Sequence, residues 1–395
     1  MMMGAFLQEN PAKLEKLACY ELRSCVKPSL DLPSFDDRPY PPGTVLIRTI
    51  AASICGSDFV GKGPDNSCHG CCWRQSLDAL GTFTCGGTGH ELLGEIVQIV
   101  EPCKYPVGQR VLAFPPIYFK QVFGDKLRRA TGLVDLDSIF ETKGGFAEYF
   151  VSHDAVCVPV PKVTPPIRHN KLADFDPRWF VLAQPLGTVL HACQHLDGNL
   201  TGKTVAVVGQ GQNGFLMTQL LAGHRPRRLI VLDLLPDRLE VAQELYAITH
   251  AIHVTNNETM IQDTHAKIME ITNGELCDVV VDMVGHPSQT MEMCCELTKA
   301  YGTVLLFGIP PAQDEPQFTI STRTFHRNLK LITSHSPPME TFELAMELLE
   351  QGRFDPTGIF THTIPFHESF PEAYEIAQNY QDGVIKVLVT FDEGG

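Results

Sequence analysis

The stretch Val207-Val208-Gly209-Gln210-Gly211-Gln212-Asn213-Gly214 sets a G-x-G-x-x-G pattern between two regular-looking segments. The apolar run Thr204-Val205-Ala206-Val207-Val208 leads into it, and a helical pattern over residues 215–222 leads out. In such a turn the first glycine permits a tight reversal. The second lets the backbone approach a pyrophosphate, and the third lets the helix pack close to the strand. Phosphates then meet the helix N-terminus, where free N–H groups and the macrodipole favour negative charge. An acid closes the next apolar run: Asp233 follows Leu229-Ile230-Val231-Leu232, 24 residues after Gly209. A carboxylate there accepts hydrogen bonds from ribose hydroxyls and repels a 2′-phosphate, so Gly209, Gly211, Gly214 and Asp233 predict an NAD site. Arg238 is the residue that could instead reach a 2′-phosphate, with Asp233 as its immediate competitor. The bland alternative is a glycine loop without a ligand and an Asp that only caps a strand. Strand, loop, helix and acid in register speak against it.

Outward from this loop, residues 188–333 alternate between buried strands and helices. A helix is expected over residues 237–245, and strands over 251–254, 278–282 and 303–308. That alternation predicts an α/β fold, a doubly wound parallel sheet of Rossmann type with helices on both faces. Residues 1–187 have a different texture, with short β-like runs at 44–50, 94–100 and 110–114. Val158-Pro159-Val160-Pro161 with Pro165-Pro166 is expected to break any regular element. Residues 334–395 hold one helix over 340–350, closed by Gln351-Gly352, and a last strand over 385–390 that returns to β texture. Neither an internal repeat nor a low-complexity tract is visible.

The chain has 395 residues, 44% of them apolar, enough for two or three domains with sizeable cores. A net charge of -15 argues against nucleic acid or an anionic membrane as partner, because both repel an acidic surface. The basic run Arg225-Pro226-Arg227-Arg228 reads as a solvated loop before a strand. No apolar run approaches the ~18 residues of a membrane span. The N-terminal residues lack the basic start and apolar stretch of a secretory signal. Thirteen scattered cysteines suit reduced thiols and metal ligands, so a cytoplasmic protein is expected.

Two further motifs carry chemistry. Ile54-Cys55-Gly56-Ser57-Asp58 and Gly89-His90-Glu91 offer a soft thiolate, an imidazole and a hard carboxylate. That mixture suits a zinc ion that holds its ligands and keeps a position open for a substrate.

Together these residues resemble the zinc-dependent medium-chain dehydrogenases, of the alcohol, polyol and sugar dehydrogenase kind. The motifs run in family order: Cys55-Gly56-Ser57-Asp58, Gly89-His90-Glu91-Leu92-Leu93-Gly94, Val107-Gly108-Gln109-Arg110-Val111, Gln184-Pro185-Leu186, the glycine loop, and Gly383-Val384-Ile385-Lys386-Val387. The resemblance implies a GroES-like β-barrel catalytic domain over 1–187, a Rossmann NAD-binding domain over 188–333, and a return to the catalytic domain over 334–395. It also implies one catalytic Zn2+, NAD, and a small-molecule alcohol, polyol or sugar as substrate. A homodimer or homotetramer is implied too, joined through the edge of the Rossmann sheet near residues 305–309.

In this resemblance Cys55 and His90 are metal ligands, and Gln184 stands where a charged third ligand is common. A neutral amide oxygen leaves about one net positive charge on the site. Glu91 could restore neutrality by entering the shell, and Asp58 would orient His90 through its other ring nitrogen. Ser57 would take the alcohol proton. The histidine that usually relays that proton is replaced by Val60, with His69 as a substitute on proximity alone. The four-cysteine structural zinc of the family is absent, since no cysteine lies between Cys103 and Cys157. Specificity is expected from the lobe around residues 117–140. Cys68, Cys71, Cys72 and Cys85 lie in what reads as an inserted loop. They admit a second metal, but loose thiols are the preferred reading. Two competing functions stay open: a zinc-free NAD(P)H-dependent reductase of the same fold, and a non-catalytic nucleotide-binding relative.

Overall fold

The computed structural model describes residues 4–7, 20–23, 42–59, 89–114, 146, 149–162, 175–196, 198–285, 288–308, 319–334, 337–366 and 369–391. The chain forms two compact units. One comprises Met1–Pro166, Ala173–Gln184 and Phe360–Gly395, and the other Ile167–Leu172 and Pro185–Ile359.

In the first unit the chain lays down β1 (Gly4–Leu7), β2 (Tyr20–Arg23), β3 (Thr44–Ser53), β4 (Glu91–Ile99), β5 (Arg110–Ala113), β6 (Tyr149–His153) and β7 (Cys157–Pro159). β3 is the spine. Its ten residues, rich in Thr, Val and Ile, are buried almost throughout, as expected for a strand covered on both faces. β4 lies antiparallel along its full length, and β6 pairs with its first half from the other side. β5 joins β4, and β7 joins β5. β7 corrects the expectation that Val158-Pro159-Val160-Pro161 holds no regular element: Val111 faces Pro159 and Leu112 faces Val158. The strand ends the sheet path, where a proline's missing N–H costs no ladder bond.

The second unit contains β8 (Thr204–Val208), β9 (Arg228–Asp233), β10 (His250–His253), β11 (Cys277–Asp282), β12 (Thr298–Leu306) and β13 (Lys330–Thr333), in the sheet order β10-β9-β8-β11-β12-β13. Every pairing is parallel. The order reverses between β8 and β11, the doubly wound arrangement in which ligands sit beyond the strands' carboxyl ends. α1 (Ala183–Gln194), α2 (Gln212–Gly223), α3 (Pro236–Leu245), α4 (Met260–Ile271), α5 (Ser288–Leu297), α6 (Thr322–Phe325) and α7 (Met339–Glu350) connect and flank it. α4 shows why such helices dock: Met260, Thr264 and Ile268, four residues apart, form its buried stripe. Met260 and Ile268 meet Ala206, Ile230, Val280 and Val304 in one apolar cluster with α5. β13 also corrects the expected sheet edge. The strand ending near Leu305 is covered, because Thr303 to Leu306 pair with Lys330 to Thr333.

The chain leaves the second unit only at Phe360, later than residue 334, and packing explains why. A side chain at Gly187 would strike Phe342 of α7 at 2.3 Å, so α7 lies against α1. Gln219 of α2 then grips the backbone of Asp355 twice, donating to its carbonyl at 2.9 Å and accepting from its N–H at 2.8 Å. α7 closes at Gln351 with Gly352 at φ +60°, the expected glycine stop. The chain's end then adds β14 (Phe360–Pro365), α8 (Phe370–Asn379) and β15 (Lys386–Thr390) to the first unit. β15 pairs antiparallel with the last residues of β3, and β14 pairs with β15. Among the described residues no helix is long and apolar enough to cross a membrane.

The glycine loop after β8 is sterically demanding. Gly209 holds φ +92°, a left-handed region that side chains avoid. A Cβ on Gly214 would lie 2.0 Å from the carbonyl oxygen of Gly209, whereas one on Gly211 would meet only Arg238 Nη1, at 3.6 Å. Gly214→Ala should therefore destabilise the fold by about 2 kcal/mol or more. Gly211→Ala, at a helix N-cap with ordinary backbone angles, should cost less than about 1 kcal/mol. Denaturant unfolding of the two variants checks the contrast.

Candidate active site

The register of the first sheet brings distant residues together. Ser53 at the end of β3 faces Glu91 at the start of β4, and on its other side faces Leu388 of β15. Cys55, just past β3, therefore meets His90, just before β4. One donor atom from each of Cys55, His90 and Glu91 lies within 4.8 Å of the others. Cys55 is half-buried, while His90 and Glu91 are buried.

Asp58 ties this corner together. The segment Cys55-Gly56-Ser57-Asp58 turns into the 3-10 helix Gly56–Phe59. Asp58 reaches back to accept from the Cys55 N–H at 2.8 Å, as the acid of a capping box does. Its other oxygen accepts from the Gly89 N–H at 3.0 Å and faces His90 Nδ1 at 3.4 Å. Asp58 stands where the sequence expects it, beside the imidazole, and leaves Nε2 as the nitrogen for an ion. Burial acts to lower the pKa of His90. The negative charge of Cys55 and the contacts to Asp58 outweigh it and raise that pKa well above the ordinary value. A positive charge is thus favoured at this point.

Glu91, expected as a reserve group, is engaged on one side. One of its oxygens accepts from Ser53 Oγ and from Lys386 Nζ, the latter at 2.5 Å. Both charged side chains are 0% exposed. Its other oxygen, Oε1, is buried without a hydrogen-bond partner. A buried carboxylate oxygen left in that state beside a thiolate and an imidazole fits a metal cation. Lys386 also donates to the Ile54 carbonyl at 3.4 Å. Sequence reasoning missed this lysine, although a signal was present: one charge inside the apolar run Val384-Ile385-Lys386-Val387-Leu388-Val389 calls for a buried partner.

Gln184 is buried at the first turn of α1, in the same unit as Cys55, His90 and Glu91. Ser57 is described in its backbone only, within the turn after Cys55. Val60, His69, Cys68, Cys71, Cys72, Cys85 and the lobe at 117–140 lie outside the described residues.

In the second unit the glycine loop and its acid stand as the pattern predicts. Asp233 Oδ2 accepts from the Gln210 N–H at 2.5 Å, and Oδ1 from the Leu235 N–H at 2.8 Å. The acid thus fixes the loop itself as well as standing at the end of β9. Gln210 is buried and is held by Thr218 Oγ1 at 3.1 Å. Arg238 is also buried, with its guanidinium over Gly211. Asp282, missed in the sequence, ends β11 and accepts from the N–H groups of Val284 and Gly285. Burial raises the pKa of its carboxyl group. The turn it holds presses Val284 against Gly209.

Comparisons with known proteins agree with this layout. Residues 41–162 match the family described as alcohol dehydrogenase GroES-like domain, and residues 214–351 match the one described as zinc-binding dehydrogenase. The L-threonine 3-dehydrogenase of Pyrococcus abyssi is 27% identical over 359 residues, spanning 89% of this chain and 93% of that protein. Two solved structures share the fold. A zinc-binding dehydrogenase from Sinorhizobium meliloti bound to NADP has a TM-score of 0.69 and 22% identity, covering 99% of each chain. A short chain alcohol dehydrogenase from E. coli in complex with NADH has a TM-score of 0.67 and 22% identity, again covering 99% of each. The fold alone therefore does not choose between the two nucleotides. One family match falls on each unit, and together the two span most of the chain: the chain belongs to the zinc-dependent medium-chain dehydrogenase/reductase family.

Proposed function

We propose that the protein oxidises a hydroxyl group of a small alcohol, polyol, sugar or hydroxy amino acid to a carbonyl, with one catalytic zinc and NAD as hydride acceptor. The observation that carries this reading is the convergence of Cys55, His90 and Glu91 donor atoms within 4.8 Å. A zinc-free reductase has no use for such a cluster, and neither has a non-catalytic relative. The hydroxy amino acid enters from the threonine dehydrogenases among the relatives. A cytoplasmic homodimer or homotetramer is part of the same proposal.

When bound, the zinc supplies Lewis acidity that brings a substrate hydroxyl's pKa toward neutrality, and the nicotinamide accepts the hydride. The chain's own residues do the rest. Cys55 and His90 would hold the ion, with Glu91 and the neutral Gln184 as candidates for the remaining protein position. Asp58 fixes the His90 ring and the Cys55 backbone at once. Ser57, two residues after Cys55, would accept the hydroxyl proton while passing its own hydroxyl proton on to water, so that the serine ends neutral. Lys386 cancels the charge that Glu91 brings, so a dication with one thiolate keeps about one net positive charge whether or not Glu91 ligates. That charge favours binding the substrate oxygen as an anion. In the second unit Asp233 selects NAD by accepting from the ribose hydroxyls, and Gly211 leaves room for the pyrophosphate.

Purified protein should hold one catalytic zinc per chain and form NADH with some member of a panel of secondary alcohols, polyols, sugars and hydroxy amino acids. Cys55→Ala or His90→Ala should lose that zinc and at least about 100-fold of the activity, since the loss of a ligand removes the Lewis acid. Metal analysis with steady-state rates decides it, and full activity in either variant overturns the scheme. Asp233→Ala should lower kcat/KM for NAD by about 10-fold or more, the scale of a lost hydrogen bond to a charged group, and narrow the preference over NADP. Assays with both nucleotides test that. Lys386→Met should destabilise the fold by about 3–5 kcal/mol by stranding Glu91, and adding Glu91→Gln should recover much of the loss. Unfolding curves of the single and double variants measure it.

A further inference from the structure

Asp58 uses its carboxylate on Cys55, Gly89 and His90, and its backbone carbonyl has a separate partner. Tyr374 Oη donates to that carbonyl at 3.2 Å, across 316 residues of sequence. Tyr374 lies on α8 and is 4% exposed. Its ring belongs to the apolar cluster of Phe146, Phe366 and Phe370. The hydroxyl is the polar tip of an otherwise apolar contact, and it points at the turn that carries Cys55 and Ser57.

We propose that Tyr374 is a positioning residue for the metal site: its hydroxyl fixes the 3-10 turn Gly56–Phe59 so that Cys55 is already placed for the ion before the ion arrives. The geometry supports a role beyond packing. The turn is one residue past the Ile54 N–H, which donates to the Val387 carbonyl at 3.1 Å. Val387 thus holds the strand side of the turn, and Tyr374 holds its far side. Asp58 between them fixes both the Cys55 backbone and, through Gly89, the His90 backbone. A turn pinned at both ends presents its thiolate without the ordering cost that a loose turn would add to binding. Without the hydroxyl, the Asp58 carbonyl loses this long-range anchor, while the bonds at the strand side of the turn stay in place. The inference rests on the zinc reading of Cys55 and His90.

The test is Tyr374→Phe, which deletes one oxygen and keeps the ring in its cluster. Zinc affinity of the metal-stripped protein, measured by competition with a chromophoric chelator, should fall about 2- to 10-fold, the range for one neutral hydrogen bond. The visible spectrum of the Co2+-substituted protein should shift, and amides 55–58 should exchange faster in the metal-free form. Tyr380→Phe, an exposed tyrosine on the same segment, should leave all three at wild-type values. A purely structural role predicts equal destabilisation of the metal-free and zinc forms with unchanged affinity and spectrum, and that result overturns the proposal. Wild-type protein that binds no zinc overturns the functional reading itself, a different outcome. Should Tyr374→Phe fail to fold, Tyr374→Met carries the same comparison.

Discussion

Two opposite charges buried at one point, Glu91 and Lys386, hold the ends of three strands in register. Each ion loses its hydration on burial, a cost of several kcal/mol that only a close, well-directed partner offsets. The pair therefore tolerates little displacement. A slip of one residue between β3 and β4 would turn Glu91 to the opposite face and leave Lys386 alone. In the observed register Ser53 stands between Glu91 and Leu388, and Cys55 falls beside His90. The convergence of Cys55, His90 and Glu91 is thus a by-product of satisfying one buried pair.

The second unit relies on a steric constraint of the same strictness. Gly214 touches Gly209 so closely that no side chain fits, and Val284 closes over Gly209 from the neighbouring strand. Asp233 with both oxygens, and Asp282 with one, at the ends of β9 and β11, accept from backbone N–H groups of the adjoining turns. Two acids at strand ends thus shape the mouth of the sheet, and one of them, Asp233, is also the residue expected to read the ribose. A substitution at Asp233 would therefore disturb the loop itself, through the Gln210 and Leu235 N–H groups that it holds.

Much of this was legible in the chain because it is local. Apolar runs gave β8, β9 and β11, the glycines gave the turn, and Cys55, His90 and Asp58 could be named from short motifs. What sequence hid were relations between distant segments. The cation paired with Glu91 was hidden because it lies in β15, 295 residues on. Tyr374 carries no pattern of its own and matters only through the carbonyl it meets. β7 was obscured by its prolines, which an edge position excuses. β13 was overlooked as a four-residue strand with mostly exposed side chains, so its apolar signal is weak. The end of the second unit was set too early because the contacts of Phe342 and Asp355 with α1 and α2 leave no trace in local composition.

β15 has a consequence for how the molecule is made. It supplies both the strand beside the end of β3 and the cation for Glu91, yet it is synthesised 295 residues after that acid. Domains generally fold as units during synthesis, N-terminal parts first. Here that order is broken. The second unit, almost contiguous in the chain, is free to fold while the first still lacks a neighbour for β3 and carries an unpaired buried acid. The corner that holds Cys55, His90 and Glu91 then gains its frame only once β15 has been made. A nascent chain stalled before residue 386 would own every thiol and imidazole of the site and still lack the frame that holds them.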